Sequence, residues 1–148
     1  MHTSLLWIHS ILRYLVIVFL VIVIINSLTG WFKNHGFTKK DDFFSLILFS
    51  LVHTQLLVGI ILFFVSPLVE FGGETMKVST MRYWTVEHGF IMIVAIILIT
   101  IGRVSAKKIA EAKRKHRRLF IYNVSALAFI LLGIWMSHRG FLSLPQLK

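Results

Sequence analysis

Three histidines and one glutamate interrupt the long apolar stretches of this 148-residue chain: His9, His53, Glu87 and His88. Lipid holds no water to solvate an imidazole or a carboxylate, so such groups persist inside membrane spans when they pair, bind a ligand or line a cavity. Paired imidazoles bind metal ions or haem iron, and imidazoles also relay protons. These four residues are therefore the candidate functional site.

His9 and His88 each lie a few residues inside the same end of a predicted span, so we expect them to share a depth. A haem held by two imidazoles needs one from each of two helices, at the height of the iron. The alternative is that both rings sit in the polar membrane interface, satisfied by water, and bind no cofactor.

His53 lies near the middle of another predicted span, where headgroup water does not reach. Three roles are open for it: a haem or metal ligand, a proton relay, and an interhelical hydrogen bond. It would pair with His9 or His88 if the site lay deeper in the bundle.

Two charged residues enter the membrane from the same side. Arg13 lies one turn beyond His9 on the same helical face, and Glu87 adjoins His88. The two charges either neutralise each other, or Arg13 binds a haem propionate while Glu87 accepts a hydrogen bond from a ligand imidazole.

The other histidines have weaker claims. His2 is terminal, and His35 and His116 fall in polar segments, so we predict that all three are solvated. His138 is a reserve ligand, since it lies on the same side as His9 and His88. Those three together would suit a metal ion, but the chain contains no cysteine, which makes a zinc or copper cage less natural than haem.

The elements that must position these residues are transmembrane helices. Hydrophobic residues make up 57% of the chain and charged residues 15%, which is typical of a membrane protein and not of a soluble domain. Four apolar stretches are long enough to span a bilayer. We predict an all-α integral membrane four-helix bundle in one domain, 1–148, with a basic connector at 103–118 and spans at about 5–31, 43–65, 81–102 and 119–137.

Helix ends are marked in several places. Thr38 or the aspartates that follow it can cap the second helix, and Ser66-Pro67 should end it because proline cannot continue the hydrogen-bond ladder. Ser79 or Thr80 can cap the third helix.

The net charge of +10 is explained by topology. Segments 33–42 and 103–118 hold eleven of the 16 Lys and Arg residues, and cytoplasmic loops carry such an excess. Both termini are therefore predicted on the non-cytoplasmic side. The chain shows no aromatic and basic recognition motif, so nucleic acid is not a predicted partner, whereas the lipid bilayer is.

Four segments of the chain form a recognisable set: HSILRY (9–14), LVHTQLLVGIILFFVSPL (51–68), VEH (86–88) and ILITIGR (97–103). Together they resemble a family of small four-helix bacterial membrane proteins labelled cytochrome b or cytochrome b-like. The resemblance covers most of the chain and implies a haem b protein of the respiratory or redox membrane, placed as a multi-pass protein in the bacterial inner membrane. It implies His9, His53 and His88 as candidate ligands, and His138 matches no position of the family. Larger cytochrome b families place two histidines on one helix, which this chain does not.

The leading hypothesis is a membrane electron carrier that binds one haem b, is linked to quinol oxidation and contacts other respiratory subunits. The second is a cofactor-free accessory or assembly subunit of a larger membrane complex, whose polar groups lock helices together. A proton relay or transporter using His53, Glu87 and His88 is disfavoured, because four helices leave little room for a pathway without oligomerisation.

Overall fold

A computed structural model describes residues 2–138 of the chain, and within that range every regular element is helical. Four helices are long and apolar enough to cross a membrane, as predicted. The tail 139–148, whose predicted position is non-cytoplasmic, lies outside the described residues. The elements are α1 (His2–Phe32), α2 (Lys39–Val65), α3 (Ser79–Arg82), a π-helical turn (Tyr83–Glu87), α4 (His88–Lys107) and α5 (Ala112–Met136).

The ends of α2 follow the sequence signals. Thr38 is the N-cap of a capping box, in which its hydroxyl accepts from the Asp41 N–H and the Asp41 carboxylate accepts from the Thr38 N–H at 2.8 Å. The helix ends at Val65, with Ser66 as its extended C-cap before Pro67. Both predictions are confirmed, because each signal acts through its immediate sequence neighbours.

The third span runs without a break from Ser79 to Lys107 and consists of α3, the π-helical turn and α4. The predicted cap at Ser79 or Thr80 is wrong, since the helix begins at Ser79 and its N-cap is Val78, which makes no side-chain hydrogen bond. The π-helical turn was not predicted. Its backbone closes through the His88 N–H, which donates to the Tyr83 carbonyl.

The basic segment 103–118 is mostly helical. The third span continues to Lys107 and α5 begins at Ala112, so only four residues, 108–111, connect them. Good helix formers extend both helices beyond the apolar spans.

The bundle is closed on three sides. α1 packs against α2 and α5, α4 packs against α5, and α4 makes far fewer contacts with α2. Therefore α1 and α4 are diagonal, and the α2–α4 side is the loosest. The core between the helices is aliphatic and includes Leu20, Leu48 and Ala126.

Large apolar side chains also cover the outside of the bundle. Phe64, Phe90 and Trp135 are between 68% and 76% exposed. Soluble monomers rarely expose so much contiguous apolar surface, so this outer surface is suited to lipid.

Candidate functional site

The structure brings His9 and His88 together. The two rings have centroids 6.5 Å apart and planes inclined at 64°. They come from α1 and α4, the diagonal helices, so the pair lies across the bundle. The two residues occupy the same end of their spans, which puts both imidazoles at one height.

The His9 ring lies against α2. A Cβ at Gly59 would lie 3.3 Å from His9 Cε1, so the small residue lets the ring approach the α2 backbone. Gln55, one turn earlier on α2, donates from Nε2 to the His9 carbonyl at 3.0 Å. This bond fixes α1 against α2 at the level of the imidazole.

The π-helical turn positions His88. Tyr83, five residues earlier, donates its hydroxyl hydrogen to the Gly133 carbonyl of α5 at 2.5 Å. The same oxygen lies 3.3 Å from His88 Nδ1. Because the hydroxyl donates its hydrogen to Gly133, it can only accept from His88, which places a proton on His88 Nδ1. In metal sites, a hydrogen bond of this kind to the other ring nitrogen orients the imidazole that binds the metal.

The separation of the two rings fits a shared metal. A metal–imidazole bond is about 2 Å long, and with the half-width of each ring this puts the centroids roughly 6 Å apart when both rings bind one ion. Two protein ligands suffice for haem, because the porphyrin supplies four further nitrogens. Zinc needs three or four protein ligands, and residues 2–138 contain no group of three or more His, Cys, Asp or Glu that could hold a metal ion.

Buried polar atoms near His9 lack a hydrogen-bond partner within the described part of the chain. They are His9 Nδ1 and Gln55 Oε1, and Gln55 is the side chain whose Nε2 bonds the His9 carbonyl. Leaving such an atom unsatisfied costs about 1–3 kcal/mol. The residues around His9 therefore fit a bound group that would satisfy them.

His53 does not join this pair. Its Nδ1 lies 2.7 Å from the Phe49 carbonyl one turn back in α2, and its ring packs on Phe49 with centroids 4.2 Å apart. Gly59, the residue beside His9, is six positions further along, roughly 9 Å down the helix axis. His53 instead lines an apolar groove of about 260 Å³ between α2 and α4.

The charged residues are arranged differently from the prediction in which Arg13 neutralises Glu87. Glu87 pairs with Arg82, with Nε and Oε1 2.7 Å apart, and Tyr83 forms a side-chain hydrogen bond with His88. Arg13 donates from Nη2 to the Tyr14 hydroxyl at 3.1 Å. Its guanidinium carbon lies 4.9 Å from the centre of the Tyr14 ring.

The prediction that His116 is solvated is wrong. His116 is 2% exposed, lies against Gly30 of α1 and packs on Phe37 with ring centroids 5.2 Å apart. Neither ring nitrogen has a hydrogen-bond partner among the described residues. The alternative metal site of His9, His88 and His138, which is less natural than haem, is not formed within residues 2–138.

No known protein-family model matches the chain, and no curated protein or solved structure matches it either.

Proposed function

We propose that this protein is a membrane-embedded electron carrier that binds one haem b through His9 and His88. The observation that supports it is the meeting of two imidazoles from diagonal helices at a centroid separation of 6.5 Å. When bound, haem supplies a reversible one-electron change at its iron. The chain supplies the ligands, their orientation and an apolar surround.

Each residue of the site has a distinct part in this proposal. His88 presents Nε2 as a ligand because Tyr83 holds the proton on Nδ1. His9 is placed by Gln55 and by the space at Gly59. Arg13 is the candidate cation for a haem propionate, and Glu87 forms an ion pair with Arg82. His53 is not assigned as a ligand, because it is on a different part of α2.

The proposed setting is the bacterial inner membrane, with both termini non-cytoplasmic. The four apolar helices and the placement of the basic residues support a multi-pass topology. Quinol and other respiratory membrane subunits are the partners that this function would require, and oligomers are compatible with it.

An absorbance spectrum of the purified protein tests the function. Protein produced with ample haem should show reduced α and β bands, and His9→Ala or His88→Ala should abolish them. His53→Ala and His35→Ala are matched controls, and both should keep the bands. His53 lies on α2 six positions before Gly59, which lies beside His9, and His35 is exposed. A colourless wild-type protein would refute the proposal.

The second candidate is a cofactor-free accessory or assembly subunit. Hydrogen bonds that join helices favour it, because Gln55 to His9 and Tyr83 to Gly133 lock neighbouring helices without any ligand. It is supported if the protein is colourless, purifies with a stoichiometric partner in mild detergent, and loses that partner on His9→Ala or His88→Ala substitution.

A further inference from the structure

A basic cavity lies at the end of the bundle opposite the histidine pair. It has a volume of about 580 Å³ and lies where α2 begins, α4 ends and α5 begins. Its charged lining consists of one carboxylate and four cations: Asp42, Lys39, Arg103, Lys107 and Lys115. The excess of cations favours an anionic ligand.

Arg103 is the fixed part of this cavity. It is 6% exposed, and Nη1 binds Asp42 twice, at 3.1 Å to the carbonyl and 3.2 Å to Oδ1. A guanidinium has five N–H donors, and the hydrogen bonds that Arg103 forms within residues 2–138 use only Nη1. The remaining donors belong to a side chain that lines the cavity, and buried Arg binds phosphate through such a fork.

The lysines are arranged around this fixed charge. Lys107 ends α4, and Lys115 is held in the first turns of α5 by Phe37, with Nζ 4.7 Å from the ring centre. Phe37 also lines the cavity. The cations therefore come from three helices and converge on one space, which distinguishes them from a scattered basic surface.

Apolar side chains complete the lining. Phe43, Leu46 and Leu119 face the same cavity as the cations. A small hydrated anion has no apolar surface to bury against these side chains, whereas an amphiphile with an anionic head gains free energy by burying its apolar part there.

A second cavity lies between α2 and α4, further from the helix ends that hold the basic cavity. The apolar groove of about 260 Å³ is lined on α4 by residues between Ile93 and Ile101, which precede Arg103. At 1.5 Å per residue these positions extend roughly 15 Å deeper than Arg103, about half the thickness of a bilayer hydrocarbon core. An acyl chain of a lipid whose head binds at Arg103 would occupy this length.

We infer that the basic cavity and the apolar groove together form a binding site for one anionic phospholipid, its phosphate at Arg103, Lys107 and Lys115 and an acyl chain between α2 and α4. The site is independent of the histidine pair, at the other end of the bundle. It differs from general attraction to a charged membrane because the buried Arg103 and the groove specify a position.

The test is a lipid titration of the full chain in detergent, followed by native mass spectrometry. Dioleoyl phosphatidylglycerol should bind as one tight equivalent, and dioleoyl phosphatidylcholine should bind at least tenfold more weakly, since nearby cations favour anionic lipid. Glycerophosphoglycerol, the same head without chains, and inorganic phosphate should not bind measurably.

Paired variants locate the site. Lys107→Gln with Lys115→Gln should weaken phosphatidylglycerol binding roughly 10- to 30-fold. The matched control is Lys108→Gln with Lys113→Gln, two exposed lysines of the same segment that do not line the cavity; it should change binding less than twofold.

Three outcomes would overturn the inference. Equal binding of the two lipids would show that the site does not select an anionic lipid. Equal losses in both double variants would show that binding depends only on the general surface charge. Binding of glycerophosphoglycerol or inorganic phosphate as tightly as the lipid would make the ligand a soluble phosphate. Each result is read independently of any haem spectrum.

Discussion

One hydroxyl group determines which nitrogen of His88 carries its proton. Tyr83 connects His88 to the Gly133 carbonyl, so Tyr83→Phe should leave that carbonyl and the His88 N–H without this partner. We expect the free energy of unfolding to fall by about 1–3 kcal/mol and the α band of the haem-loaded protein to shift or weaken.

Tyr122→Phe is the matched control for this change, since Tyr122 lies on α5 and its hydroxyl has no recorded hydrogen bond within the described chain. Thermal unfolding and absorbance of both variants make the comparison. Identical behaviour of the two would show that the Tyr83 hydroxyl does not position His88.

Two glycines test the space around the histidine pair. Alanine at Gly59 would place a Cβ 3.3 Å from His9 Cε1, whereas alanine at Gly89 meets nothing within 4 Å. Both changes gain about 1 kcal/mol of helix propensity. Gly89→Ala should therefore raise the melting temperature. Gly59→Ala should not raise it, and it should lower haem occupancy because its Cβ crowds His9.

Equal melting temperatures and equal haem occupancy in the two glycine variants would contradict the proposed contact. Occupancy is measured as haem absorbance per protein.

At the scale of single residues, the sequence indicates which residues are candidates for a site better than it indicates which side chains they contact. His9 and His88 were recognisable because they are polar residues in apolar surroundings. The Glu87–Arg82 pair was missed because side chains five apart are neighbours only in a π-helical turn, whereas the α-helical spacings are three and four. The burial of His116 depends on Gly30, 86 positions away, and no local pattern indicates it.

At the scale of helices, the cap of α2 is the clearest local device. Thr38→Ala removes the hydroxyl that accepts from the Asp41 N–H and should cost about 1 kcal/mol of unfolding free energy. Thr54→Ala is the control, because its exposed hydroxyl only bonds the Ser50 carbonyl within the same helix.

Denaturant unfolding of both threonine variants gives the comparison. If the Thr54 variant loses as much stability as the Thr38 variant, the capping box contributes nothing specific.

The helices themselves were largely predictable, because apolar length and proline fix where spans occur. Their extensions carry a different signal. Residues 103–107 and 112–118 include charged side chains, so hydropathy leaves them out of the spans, but good helix formers without Gly or Pro predict that the helix continues beyond Arg103. The π-helical turn contains no Gly or Pro to mark it. Its first residue, Tyr83, bonds Gly133 of α5, a contact that no local sequence pattern indicates.

At the scale of the whole molecule, the charge distribution predicts orientation. A reporter that fluoresces only in the cytoplasm, fused after Lys148, should be dark, and alkaline phosphatase at the same position should be active. Insertion at Gly36 in the first basic connector should give the reverse pattern, because basic loops stay cytoplasmic. The opposite result at both positions would invert the topology.

The looseness of the α2–α4 side could not be predicted from sequence, since all four spans are apolar around most of their surface. Short connectors indicate which helices are neighbours in sequence, but not how tightly the last side closes. That side contains the apolar groove, and the Arg103–Asp42 pair crosses it at one end.

This uneven packing divides the bundle into two hairpins, α1–α2 and the third span with α5, which share extensive contacts mainly along α1 and α5. That edge is where we expect a hinge, with the largest relative displacement on the far side. His9 and His88 belong to different hairpins. A molecule bound to both histidines would therefore hold the two hairpins together, and its loss would allow them to separate.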